Sequence, residues 1–183
     1  MRNFFYPSEL IRSTYRIDFE RLYEEGYRGI IFDIDNTLVP HGAPADERSI
    51  RLFERLKKIG YQCCLVSNNK QPRVDLFNKD VQVHTVCLAH KPLPGGYRRA
   101  MREMGTDIGN TLLVGDQIFT DLWGGSFLGM YTIMVESIHP KEEIQIVLKR
   151  ILERPILWMY RRSKAFSNEH EIKDTMEAPH DRA

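Results

Sequence analysis

The chain has no apolar run approaching the ~18 residues that a membrane-spanning helix needs, so a transmembrane protein is not expected. Cysteine is scarce. Cys63, Cys64 and Cys87 all sit inside apolar stretches, which suits reduced core residues better than a disulfide framework or a zinc site and predicts a cytoplasmic protein. An excess of either charge is missing too. The 26 Lys and Arg against 25 Asp and Glu leave a net charge of +1, which excludes a broad electrostatic footprint and predicts no nucleic-acid partner. The N-terminus lacks the apolar core of a secretory signal, because Pro7 interrupts Phe4-Phe5-Tyr6 at once. No internal repeat is visible, and no low-complexity stretch precedes the tail. What remains is a 183-residue chain of ordinary apolar and charged content, long enough for one domain with a sizeable core.

The hydrophobic pattern alternates between two periods. Strands are predicted over about 28–35, about 61–67, up to Leu88, up to Asp116, and over Tyr131–Val135. Helices are predicted between them. One follows Pro44, with Ile50, Phe53, Leu56 and Ile59 on one face and Gly60 as its stop. Others run from Pro72 to about Asn78, from Pro94 to Met104, through a glycine-rich stretch to Gly129, and from about Lys141 to Glu153. Such alternation builds βαβ units and predicts a three-layer α/β fold with a mostly parallel, five-stranded sheet. The domain reading is an amphipathic N-terminal segment over 1–27, the α/β domain over 28–160, and a disordered polar tail over 161–183.

Four of the strand-like runs end in chemically loaded residues: Asp33-Ile34-Asp35-Asn36-Thr37, Ser67-Asn68-Asn69, His90-Lys91-Pro92, and Gly115-Asp116-Gln117-Ile118-Phe119-Thr120-Asp121. In an open α/β sheet the ligand site lies beyond the carboxyl ends of the strands. These residues, distant in sequence, are therefore expected to meet at one edge. They are what a phosphoaspartyl transferase needs. A DxD alone is weak and equally suits a helix cap or a Ca²⁺ site, but that reading leaves Thr37, Ser67, Lys91 and Asp116 unexplained.

The set resembles the haloacid dehalogenase superfamily of phosphohydrolases. Within it, the segments at 33–39, 67–69, 90–92 and 115–121 resemble the capless subclass IIIA branch and its YqeG-type, phosphatidylglycerophosphatase-like family, with Phe4-Phe5-Tyr6-Pro7 and Glu153-Arg154 also fitting. The resemblance covers roughly residues 1–160. It implies a Mg²⁺-dependent phosphomonoester hydrolase. Asp33 is implied as the nucleophile, and Asp35 as the acid and then base. Ser67 and the amides after it, Asn68 included, are implied to bind phosphate, together with Thr37. Lys91 is implied to neutralise the transferring group. Asp33, the main-chain carbonyl of Asp35, and Asp116 are implied as metal ligands, with Asp121 behind them or acting through water. The intervals after Thr37 and after Asn69 leave no room for a cap domain, so an open site is expected, suited to a phosphate carried on something large.

Two departures from the family pattern stand out. Gly124-Gly125 is followed by Ser126 instead of Asn, and Trp123 replaces a smaller aliphatic residue. His90 reads as structural and His41 as an exposed loop residue that could reach substrate, while the role of Asn36 stays open. The segment 149–164 places basic residues around Ile156-Leu157-Trp158-Met159-Tyr160. It suits either a peripheral membrane contact or a terminal helix on the domain with Trp158 in the core. The resemblance points to phosphatidylglycerophosphate as substrate. A soluble sugar phosphate or nucleotide, and a non-catalytic binding protein on the same fold, are the competing readings. The intact set of aspartates speaks against the last.

Overall fold

Strand β2 (Gly29–Phe32) is buried along its whole length and carries the nucleophile candidate at its end. Its side chains alternate between two cores. Ile30 and Phe32 enter one apolar cluster and Ile31 enters another, as the two-residue period of a strand requires. The structure is a computed structural model that describes residues 6–138 together with Pro155, Trp158 and Met159.

The remaining elements build outward from β2. They are β1 (Glu9–Ile11), α1 (Phe19–Glu24), α2 (Glu47–Ile59), β3 (Gln62–Val66), α3 (Gln71–Val81), β4 (His84–Val86), α4 (Pro94–Met104), β5 (Thr111–Gly115), α5 (Trp123–Leu128) and β6 (Tyr131–Val135). All strand pairings are parallel, in the order β1-β6-β5-β2-β3-β4. On one face Phe19, Leu22, Phe53, Leu56, Val74 and Phe77 bring α1, α2 and α3 against the sheet. On the other, Tyr97, Ala100, Met101 and Met104 of α4 cover Ile31, Cys64 and Leu113. Both faces are therefore dry, which is why the central strands read as continuous apolar runs. Helix α2 shows the local logic. Asp46 caps it by accepting from Ser49 N at 2.7 Å, and Gly60 ends it in the left-handed region at φ 112°.

The expected α/β architecture is present, with six strands rather than five. The sixth is β1, in the N-terminal segment. It pairs with β6 from Glu9↔Ile133 to Ile11↔Val135. Three residues that include a glutamate show no period, so the strand was invisible as a pattern. Glu9 is held by Arg21 and by the Tyr131 hydroxyl, each at 2.6 Å. Further along this segment, Thr14 Oγ1 donates to Thr37 O at 2.7 Å and Tyr15 OH donates to Leu38 O at 2.6 Å. The N-terminal segment thus ties down the loop that follows β2.

Two further differences are local. The stretch after Asp116 opens as a wide π-helical turn over Ile118–Leu122 before α5 begins. Strand β4 stops at Val86, two residues before Leu88, which turns to φ 47°. The linkers Asp33–Asp46 and Ser67–Lys70 carry no inserted domain. The predicted last helix, the tail, and all of 149–164 except three residues lie outside the described residues. Trp158, offered as a core residue, is exposed.

Helix α5 approaches the Lys91 loop more closely than a side chain allows. A Cβ on Gly124 would lie 2.5 Å from Pro92 O and 2.5 Å from the Tyr97 ring. Gly124→Ala is expected to lower stability by about 1–3 kcal/mol, as overpacking does. Gly95→Ala, in α4 where a Cβ meets nothing within 4 Å, is expected to be neutral or to gain up to about 1 kcal/mol. Parallel denaturant titrations of the two variants check the contrast.

Candidate active site

The carboxyl ends of β2, β3 and β5 and the loop after β4 converge on one edge of the sheet. Asp33 follows β2 directly and is anchored by its own N–H to Val114 O at 3.0 Å. Thr37, one turn on, sets its hydroxyl 3.4 Å from Asp33 Oδ2 and 3.3 Å from Asp116 Oδ1, within reach of both carboxylates. The turn between them depends on Asn36, which takes φ 63°, a conformation asparagine tolerates better than most residues.

Lys91 lies at the centre. Its ammonium donates to Asp33 Oδ1 at 2.5 Å and to Asp121 Oδ1 at 2.6 Å. The lysine side chain is 5% exposed and that of Asp121 1%. A buried ammonium is costly unless paired. Burial alone pulls the Lys91 pKa down, but Asp121 and Asp33 together outweigh it and hold the group charged well above the ordinary lysine value. Asp33 is pushed up to about 6. Burial is the largest cause, Lys91 pulls it back, and Asp121 pushes it up again.

The lysine is placed by its backbone. Asn68 Oδ1 accepts from Lys91 N at 2.7 Å, and Asn68 Nδ2 donates to Lys91 O at 3.3 Å. Asn68, whose main-chain amide is the group expected at the phosphate, spends its side chain on the Lys91 loop. Ser67 is buried, and its Oγ accepts from Asn69 N at 3.1 Å. The partner of Lys91 is braced as well. Asp121 Oδ2 accepts from Gln117 N at 3.2 Å, and Tyr97 OH donates to Thr120 O at 2.8 Å beneath it. A Cβ on Gly115 would lie 2.6 Å from Asp121 Cβ, which explains the glycine before Asp116.

Asp33, Asp116 and Asp121 bring carboxylate oxygens within 4.8 Å of one another, all three residues buried. One shared ammonium does not balance three carboxylates. Clustered hard oxygens of net negative charge are the donor set that a small divalent cation takes, so these residues fit a metal. Asp35 stands apart. Its carboxylate accepts from Arg73 Nη2 at 2.7 Å, Asn69 Nδ2 at 2.7 Å and Gly42 N at 2.8 Å, and His41 Nδ1 lies 3.8 Å away.

The structure thus brings together Asp33, Thr37, Lys91, Asp116 and Asp121, with Ser67 and Asn68 on the adjoining loop and Asp35 facing a separate set of partners. Sequence reading marked Asn69 only as part of the Ser67 segment, without its bond to Asp35, and did not single out Arg73 or Tyr97. Arg73 carries no motif and lies in α3; only the fold brings it to Asp35.

The HAD-hydrolase-like family model matches residues 88–145. Over 163 residues the chain is 35% identical to the "Probable phosphatase YqeG" of Bacillus subtilis, spanning 88% of this chain and 95% of that protein. The chain belongs to the haloacid-dehalogenase-like hydrolases. The likeness to a phosphatase over nearly that protein's whole length makes it a phosphatase. It is also 25% identical over 182 residues to Phosphatidylglycerophosphate phosphatase 1, chloroplastic/mitochondrial, of Arabidopsis thaliana, over 93% of this chain and 52% of that protein, so it spans about half the length of that relative. Among solved structures, the cobalt-bound deoxy-D-mannose-octulosonate 8-phosphate phosphatase of Haemophilus influenzae superposes with a TM-score of 0.50 at 15% identity, covering 79% of this chain and 95% of that one. That likeness is one of fold. Among the described residues no helix is long and apolar enough to cross a membrane.

Removing Lys91 leaves two buried carboxylates face to face. Lys91→Ala is expected to cost about 3–5 kcal/mol of stability in EDTA, the range for orphaning a buried ion-pair partner. Millimolar Mg²⁺ is expected to restore part of the loss by taking over the missing charge. Thermal melts with and without EDTA check both.

Proposed function

We propose that this phosphatase is Mg²⁺-dependent, works through a phosphoryl group carried on Asp33, and acts on the terminal phosphate of phosphatidylglycerophosphate. The observation that carries the catalytic part is the buried Asp33–Lys91–Asp121 arrangement with Asp116 beside it. Asp33 and Asp116 would hold the cation, with the Asp35 carbonyl. Asp121 would support it from behind, where Lys91 already binds it. Bound there, the cation would offset the carboxylates and the incoming phosphate.

The residues then divide the work. An Asp33 carboxylate oxygen attacks phosphorus, and the bond from phosphorus to the leaving oxygen breaks. Asp35 gives that oxygen its proton, and the alcohol departs. Water next attacks the phosphoryl group on Asp33 while Asp35 takes the water's proton. Inorganic phosphate leaves, and Asp33 is a carboxylate again. Lys91 stays beside Asp33 throughout and meets the charge on the transferring oxygens. Thr37, Ser67 and the amide of Asn68 would orient the same oxygens.

The lipid part is supported by the plant relative's name and by the surface around Lys91. Leu88 and Leu93 flank Lys91 on its loop and are 53% and 62% exposed. Leu88 is exposed in a left-handed conformation that disfavours its side chain. Apolar side chains at the mouth of a phosphate site suit a headgroup that stays in its bilayer.

Asp33→Asn is expected to lower turnover on the order of 10³-fold or more with the fold intact, and near wild-type rates would refute the covalent route. EDTA is expected to abolish turnover and Mg²⁺ to restore it; metal-independent hydrolysis counts against the ligands. Purified enzyme is expected to hydrolyse phosphatidylglycerophosphate in micelles faster than a soluble sugar phosphate or nucleotide. Leu88→Ser with Leu93→Ser is expected to weaken sedimentation with anionic vesicles. The lipid reading fails if soluble esters turn over well and the lipid is untouched.

A further inference from the structure

Arg73 is the least explained cation near the site. It extends from the first turn of α3 and puts both Nε and Nη2 on a single oxygen, Asp35 Oδ1, at 3.2 and 2.7 Å. The other oxygen, Oδ2, is taken by Asn69. The Arg73 side chain is only 15% exposed, and its Nη1 is buried with no hydrogen-bond partner. A buried N–H without an acceptor costs the full desolvation of that group. A guanidinium carries five N–H donors in a fixed fork, and here the protein supplies an acceptor for only one edge of it.

The charges point the same way. Asp33, Asp35, Asp116 and Asp121 are four carboxylates, and Lys91 is committed to two of them. A cation at the metal cluster would serve those carboxylates and the scissile phosphate. Lys91 is bonded to Asp33 and Asp121, whereas the Asp35 carboxylate is taken by Arg73, Asn69 and the Gly42 amide. If Asp35 protonates the leaving oxygen, its neighbours face the leaving alcohol. Arg73 is then positioned for whatever charge that alcohol carries.

We propose that Arg73 is a specificity residue that selects substrates whose leaving alcohol bears a second anion, a phosphodiester, which it binds through Nη1 while Nε and Nη2 stay on Asp35. The inference rests on the reading that Asp35 faces the leaving group. A planar fork matches phosphate oxygens in a way that a lysine ammonium does not. A glycerol that carries the scissile phosphate at one end and a phosphodiester at the other meets the requirement. A sugar monophosphate or a nucleoside monophosphate lacks the second anion.

Two soluble esters without acyl chains test this on the full-length Mg²⁺-loaded protein. Glycerophosphoglycerophosphate carries both anions, and glycerol 3-phosphate carries one. Wild type is expected to favour the first by about tenfold to a hundredfold in kcat/KM, mainly through KM, as a charge-assisted hydrogen bond implies. Arg73→Ala is expected to erase that preference and Arg73→Lys to keep part of it. Should Arg73→Ala not fold, Arg73→Gln serves with the same readout. Calorimetric binding of glycerophosphoglycerol, the product that retains only the diester, is expected to weaken about tenfold or more in the variants, and it decides the matter even where turnover is too slow to measure. An unchanged ratio with both substrates slowed equally would show that Arg73 acts only by holding Asp35, and would overturn the proposal. So would a wild type indifferent to the second anion, or equal product affinity. Wild type that prefers the double anion yet ignores phosphatidylglycerophosphate in micelles would sink the lipid reading and leave this one standing.

Discussion

One ammonium group makes this site possible. Asp33, Asp116 and Asp121 come close enough to share an ion, and carboxylates packed that tightly away from water repel one another and lose hydration. Lys91 Nζ sits between Asp33 and Asp121 and makes charge-assisted bonds to both. The same burial that makes the charges costly strengthens their attraction. The arrangement therefore holds only if the lysine is fixed to within a fraction of an ångström, and much of the surrounding structure can be understood as what fixes it.

That fixing is distributed over the fold. Asn68 clamps both main-chain polar groups of Lys91. Helix α5 packs against the next carbonyl, Pro92 O, at a glycine, because any side chain there would push the loop away. Tyr97, buried under burial's upward push on its pKa, keeps its proton and spends it on the Thr120 carbonyl next to Asp121. The loops that carry Ser67, Lys91 and Asp116 are separate in sequence, yet Asn68 and Tyr97 tie them to one another. The sheet makes this possible, since parallel strands β2, β3, β4 and β5 deliver all of them to the same edge.

Much of this was legible in the chain. Buried parallel strands are continuous apolar runs, so β2, β3, β5 and β6 stood out, and Asp33, Ser67 and Asp116 follow β2, β3 and β5 directly. Lys91 and its carboxylates were marked by order and spacing. The rest was hidden for physical reasons. Strand β1 is three residues long and has too little period to detect. Thr14 and Tyr15 bond to main-chain carbonyls, which leaves no pattern in side-chain chemistry. Asn69 and Arg73 reach Asp35 from a loop and from a helix, and nothing in their local sequence says which carboxylate they will meet. The side-chain partners of Asn68 were hidden for a related reason: they are main-chain groups of Lys91, 23 positions away.

The N-terminal segment adds a final constraint. A capped enzyme can hold the loop after its nucleophile from above. With no domain inserted between Asp33 and Asp46, this chain holds that loop from the side. Thr14 and Tyr15 bind the carbonyls of Thr37 and Leu38, and β1 ties the segment to β6. Thr37 is also the residue whose hydroxyl lies between Asp33 and Asp116. Force on the N-terminal segment is therefore transmitted within one residue to the carboxylate pair. Supporting the loop laterally keeps the mouth of the site open, and an open mouth is what a substrate attached to something larger than itself requires. On the proposed function, the same choice moves the burden of substrate selection from a cap onto residues at the sheet edge, with Asp35 and the donors around it the ones assigned to the leaving group.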